Sequence, residues 1–356
     1  MEKVTAVYSY YHYNFRDNFR GKGERMRYVN RTIKVNNKEI KNRLVMPPMA
    51  TSKASEGTVT PEHLEYYDEK TKGGYIGLVV LEHSYVSEQG KAKEGQMSIS
   101  KDSDVEGMSK LVDIIHRNGS MVLAQINHAG SSTLVKSQEY KVIGPSAVKN
   151  PALPAGDAQM PAEMTKAEIE GVKADFISAA KRAKAAGFDG VEIHSAHSYL
   201  LNQFYSPLTN KRNDEYTGST ISGRLQLLKE IYTEIRAALG SDYIIAVRLG
   251  GSDYMEGGST IEDCVEAAKA FETWGVDLID LTGGMCRYVR NDCTEPGYFK
   301  DMSEAVKAVV KTPVILTGGV TTIDELENLL AMEKADMIGV GRAILKDSAW
   351  PEKNMK

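Results

Sequence analysis

Two histidines three residues apart, with a tyrosine two residues further on, stand in VEIHSAHSYLLNQFYSPLTNKRNDEYTG, residues 191–218: His194, His197 and Tyr199. Imidazole pairs bind zinc, move protons, or donate hydrogen bonds to a developing anion; they also sit inert in cores. On an extended strand, residues three apart point to opposite faces, so these two rings converge only if the chain turns after His194. Zinc needs a third protein ligand, and no cysteine or carboxylate offers an obvious one.

The elements that must position these side chains repeat a single pattern. Past residue 40 a short apolar run, a Gly-rich or polar turn and an amphipathic stretch recur. The apolar runs are RLVMPPM (43–49), YIGLVVLEH (75–83), MVLAQINH (121–128), GVEIH (190–194), YIIAVRLG (243–250), DLIDLTG (277–283), PVILTGG (313–319) and MIGVGR (337–342). Continuous apolar runs rather than strict alternation suit parallel strands covered on both faces. Helix starts are marked by Thr60 before Pro61 and by capping-box spacing at Thr165 with Glu168, Ser259 with Glu262, and Thr322 with Glu325. Gly119, Gly187, Gly240 and Gly275 stand where left-handed C-caps belong. Strand and helix alternating eight times predict a single (β/α)8 barrel. Residues 129–164 form a long connection after the third strand, rich in proline, glycine and alanine, which reads as a binding loop or lid.

Barrel enzymes place their chemistry at the C-terminal ends of the strands. Those ends carry Pro48, Met49 and Ala50; Glu82 and His83; Gln125 and His128; His194; Arg248; Asp280; Gly318 and Gly319; Gly341 and Arg342. No lysine stands among them, which disfavours Schiff-base chemistry. The last two ends pair bare glycines with Arg342, a composition suited to a phosphate, although glycines there also serve tight turns. No G-x-G-x-x-G follows a strand, so a nicotinamide nucleotide lacks a Rossmann site of its own. A redox enzyme built this way needs another resident cofactor, and a flavin phosphate suits the cradle.

With 44 Lys+Arg against 48 Asp+Glu the formal charge is -4, so no global field attracts nucleic acid or an anionic membrane. A small-molecule partner is expected. Three cysteines, none in a C-x-x-C pair, make no disulfide framework and suit a reducing cytoplasm. No apolar run approaches the ~18 residues of a membrane helix. Residues 1–27 are expected to be a flexible extension, 28–350 the barrel, and 351–356 a short tail.

Taken together, KNRLVMPPMAT, AQINHAG, HSAHSYLLNQFYSPLTNKRNDEYTG, VRLGGSDY, TGGVTTIDELENLL and ADMIGVGRAIL resemble the old yellow enzyme family of FMN-dependent ene-reductases, in that family's order and over about residues 30–350. The resemblance implies FMN as cofactor and NADH or NADPH as reductant. It implies that His194 and His197 hold the carbonyl oxygen of an α,β-unsaturated substrate while Tyr199 protonates its α-carbon. Gln125 would meet the amide edge of the flavin, Arg248 would lie beside its N1, and Pro48, Met49 and Ala50 would flank the ring. Gly318, Gly319, Gly341 and Arg342 would hold the phosphate. Arg212, Asp214, Tyr216 and Arg224 are read as a network bracing the trailing loop, and Arg248 has an alternative as a barrel-interior partner for Glu192. The chain departs from many relatives in having Ala50 where they carry threonine or cysteine. It also lacks a long arginine-ended arm, so a homo-oligomer would have to assemble otherwise, and it lacks iron-sulfur cysteines, so reduction would come directly from the nucleotide. A metal-dependent hydrolase using the histidine pair and a flavin carrier without turnover are the alternatives.

Overall fold

The computed structural model of the chain describes residues 27–137 and 139–356. Eight strands, Leu44–Met46, Leu78–Val80, Met121–Asn127, Gly190–Ser195, Ile244–Ser252, Leu278–Gly283, Val314–Thr317 and Met337–Gly339, pair in parallel in chain order. The eighth closes on the first through Ile338 opposite Leu44. The expected (β/α)8 barrel is therefore present. Several strands end sooner than their apolar runs, as Leu44–Met46 does within residues 43–49.

Period-two alternation within each strand sorts its residues. Val191, Ile193, Val247, Leu249, Ile279 and Leu281 point outward into one apolar cluster with Phe176, Ile231 and Phe271 of the surrounding helices. Leu78, Leu123, Ile244, Leu278, Ile315 and Met337 point inward and fill the barrel's lower end. A hairpin absent from the sequence reading, Ile33–Val35 with Lys38–Ile40, caps that end by adding Val35 and Ile40 to the inner cluster. Its two-residue turn, Asn36–Asn37, places Asn36 at φ 54, a conformation asparagine tolerates.

Three helix starts fall as the sequence predicts: Thr60 caps Pro61–Thr71, Thr165 caps Lys166–Ala185, and Thr322 caps Ile323–Ala331. One moves by a residue. The helix Ile261–Trp274 is capped by Thr260 with Asp263, not by Ser259 with Glu262, because Ser259 is held in the preceding turn by bonds to Asp253 and Ser252. Gly240 also differs from expectation: at φ 85, ψ 177 it lies outside the left-handed helical region and in one that essentially only glycine enters. Residues 1–26 of the expected extension lie outside the described residues, and Arg27 donates to the carbonyl of Asn354. The expected tail is helical: Trp350–Met355 docks through buried Trp350 and Met355, with the indole N–H donating 2.8 Å to Thr321 O. No helix of the described residues is long and apolar enough to cross a membrane.

Candidate active site

The fourth strand builds the centre. Alternation puts Glu192 and His194 on its inner face, and after Ser195 the chain turns with His197 at φ 56 and Ser198 at φ 64. Two consecutive non-glycine residues in this region cost on the order of 1–3 kcal/mol each and persist only where the surroundings enforce them. Here the enforcement is explicit: Ser198 O accepts from Ser132 Oγ (2.6 Å), Asn150 Nδ2 (3.1 Å) and Gln203 Nε2 (2.6 Å), while Ser198 N donates to Asn202 Oδ1 (2.8 Å). The long connection after the third strand supplies Ser132 and Asn150, so this part of it braces the turn.

That turn brings the predicted side chains together. The rings of His194 and His197 stand 5.2 Å apart, and that of Tyr199 lies 5.1 Å from His194. His197 Nε2 lies 2.9 Å from Thr282 Oγ1 of the sixth strand. Burial, reinforced by neighbouring cationic charge, holds both imidazoles well below their ordinary pKa, so at neutral pH both are uncharged. Burial raises the Tyr199 phenol, and the Arg287 guanidinium opposes that rise. Among the described residues no group of three or more His, Cys, Asp or Glu is arranged to hold a metal ion.

The floor of the site carries Gln125 and Arg248, both buried. Gln125 Nε2 donates 2.5 Å to Glu192 Oε2. Arg248 Nε lies 3.2 Å from Asp280 Oδ2, so its closest carboxylate is Asp280 rather than Glu192. Burial raises both carboxyls, the Asp280 charge adds to the rise at Glu192, and Arg248 opposes it at each. Sequence reasoning assigned no site role to Glu192 or Asp280. The sequence places Asp280 among the strand ends and Glu192 only as an interior alternative partner for Arg248; counting by twos from Leu278 puts Asp280 inside the barrel as well.

Across the barrel mouth, a Cβ on Gly341 would meet Pro47 Cγ at 3.3 Å and Met49 Sδ at 3.5 Å, which joins the loop carrying Pro48, Met49 and Ala50 to the last strand end. A Cβ on Gly318 or Gly319 would come within 2.9 Å of the Tyr298 ring. The backbone N–H groups of Gly318, Gly319, Gly341 and Arg342 donate to no described residue. Such clustered free donors suit an anion. The Arg342 side chain is exposed and only 3.4 Å from Tyr298 OH. The residues present therefore fit a flavin phosphate at the rim and a polar ring edge over the floor. Two further groups border the clamp without having been singled out: His83, whose ring lies 5.4 Å from Tyr199, and Arg287. His83 stood in the strand-end census; Arg287 lies seven residues past Asp280, where spacing carries no signal.

The trailing motif is structural, as expected. Arg212 pairs with Asp214 and donates to the carbonyls of Pro145 and Met164, Tyr216 bonds Glu230, and Arg224 pairs with Asp263.

Comparison with known proteins agrees with this geometry. An NADH oxidase of Thermoanaerobacter brockii is 37% identical over 328 residues, covering 90% of this chain and 49% of that one. An NADPH dehydrogenase of Halalkalibacterium halodurans is 35% identical over 314 residues, covering 88% and 89%. The chain thus spans about half the length of the first relative and most of the second. Among solved structures, 2-naphthoyl-CoA reductase in complex with 2-naphthoyl-CoA superposes with a TM-score of 0.85 at 30% identity, over 92% of this chain and 52% of that one. The old yellow enzyme homologue of Zymomonas mobilis shares the fold, with a TM-score of 0.78 at 24% identity over 91% of each chain. Residues 31–356 match the NADH:flavin oxidoreductase / NADH oxidase family, and the chain belongs to it.

Proposed function

We propose that the protein is an FMN-dependent NAD(P)H oxidoreductase that reduces the C=C bond of α,β-unsaturated carbonyl compounds. The observation that carries this reading is the convergence of His194, His197 and Tyr199, two uncharged imidazoles and a protonated phenol, above a floor of Gln125 and Arg248. FMN, with its phosphate on Gly318, Gly319, Gly341 and Arg342 and its ring flanked by Pro48, Met49 and Ala50, would supply hydride drawn from NADH or NADPH. His194 and His197 donate to the substrate oxygen and so stabilise the negative charge that grows there. Neutral imidazoles suit this task, since each offers one N–H without the desolvation cost of a buried cation. Tyr199 gives its proton to the α-carbon, which the developing enolate makes basic enough to take it. Arg248 places a cation on the floor, where it would favour negative charge on the reduced cofactor. The names of the relatives include both NADH and NADPH, and the reductant is assigned to that class. A cytoplasmic location and a homo-oligomer complete the proposal.

Purified protein should be yellow, bleach anaerobically with NAD(P)H, and recover its colour on adding 2-cyclohexenone. Replacing both His194 and His197 by alanine should lower kcat/KM for the enone by at least 10²-fold, with nucleotide-driven bleaching reduced far less. Equal loss of both half-reactions would assign the pair a structural role instead.

A further inference from the structure

Arg287 leaves the sixth strand on a tight turn, with φ 62 and its N–H donating 3.0 Å to Gly284 O. Its neighbour Arg290 has two carboxylate partners, Asp292 at 2.7 Å and Asp301 at 2.8 Å. Arg287 has no ion-pair partner among the described residues, and its Nε is buried without a hydrogen bond. The guanidinium lies 5.8 Å from the Tyr288 ring centre, and that ring meets His197 at 6.0 Å. Through Tyr288 the guanidinium thus stands at the edge of the clamp. Its charge and a hydrogen bond oppose the rise that burial gives the Tyr199 phenol, and its charge adds to the burial that depresses His83 and His197. The buried carboxylates of the floor are engaged elsewhere, Glu192 with Gln125 and Asp280 with Arg248. A buried guanidinium N–H with no acceptor is unfavourable, and its planar fork matches a carboxylate.

We propose that Arg287 binds a carboxylate carried by the alkene, so that the preferred substrates are α,β-unsaturated carbonyl compounds bearing a second, ionised carboxylate. This rests on the alkene-reducing function proposed above and names its substrate class. The phosphates of the pyridine nucleotide share the chemistry. The substrate is favoured because the Tyr288 ring that Arg287 faces packs against His197, one of the two groups that address the alkene's carbonyl.

The test compares monomethyl fumarate with dimethyl fumarate, in turnover and in absorbance titrations of the oxidised holoenzyme. Arg287→Gln should lower the monoester-to-diester ratio of kcat/KM roughly 10- to 100-fold and shift the ratio of Kd values the same way. Arg287→Lys should restore part of it, since the charge remains without the fork. Equal losses for both esters would overturn the proposal, as would a selective rise in KM for the nucleotide with the ester ratio unchanged. If the wild type reduces neither ester while NAD(P)H still bleaches it, alkene reduction fails, and the Kd ratio then decides the carboxylate site by itself.

Discussion

With the roles proposed for Tyr199 and the two histidines, their protonation states fix a pH profile. Both imidazoles have pKa values depressed by burial, so they are neutral above those values and gain a proton only as pH falls well below 6.5. The phenol is shifted the other way and loses its proton only above pH 10. Turnover of a neutral enone should therefore be flat through pH 6.5 and fall on the alkaline side only above about 10; an acid limb centred near 6.5 would show a histidine that titrates normally. Tyr199→Phe should slow alkene reduction 10²- to 10⁴-fold while bleaching by nucleotide continues, which stopped-flow absorbance separates. Ala50 allows a finer test. Thr51 beside it has both its N–H and hydroxyl committed to Glu82, at 2.7 and 2.8 Å, so a new side-chain donor belongs at position 50. Ala50→Thr should raise the flavin midpoint potential by about 20 mV, the equivalent of one neutral hydrogen bond of ~1 kcal/mol.

The turn after the fourth strand depends on a partner far away in sequence. Asn150 donates to Ser131, Ser132 and the carbonyl of Ser198, and it is fully enclosed. Asn150→Ala should destabilise the protein by about 1–3 kcal/mol and weaken enone binding together, because the same bonds hold the fold and the clamp; thermal melting and the enone Kd should move in parallel. This is also where the limit of legibility lies. The eight strands and the glycine cradle are readable because each is encoded locally, in apolar runs and in residues that free the backbone. The histidine pair is equally visible in HSAHSY. The αL geometry at His197 and Ser198 is not, since neither is glycine and two of the four hydrogen bonds that impose it come from Ser132 and Asn150, far upstream in the chain. Arg287 escapes notice for a related reason: its proposed role comes from a buried Nε without an acceptor, which only the surrounding side chains reveal. Asp280 is legible as a strand-end residue and Glu192 as an interior one, but the pairing of Glu192 with Gln125 and of Asp280 with Arg248 is not, since it depends on the register between strands.

At the scale of the molecule, stability and chemistry occupy opposite ends of one barrel. The hairpin Ile33–Ile40 seals the lower end with Val35 and Ile40, far from the clamp along the strands. Ile40→Ala should cost about 2–5 kcal/mol of folding stability, read by denaturant unfolding, with kcat for an enone little changed below the melting range. Such separation explains why the hairpin has no chemical signature in the sequence, while the upper rim is crowded with polar residues. The bracing of the 197–198 turn carries the point further. Six residues that look like a self-contained motif hold their shape only inside the net of Ser132, Asn150, Asn202 and Gln203. Grafted onto another barrel without the loop 129–164, HSAHSY would relax toward extended backbone and its two imidazoles would part: the clamp is not portable, and what a transplant must carry is the scaffold around it.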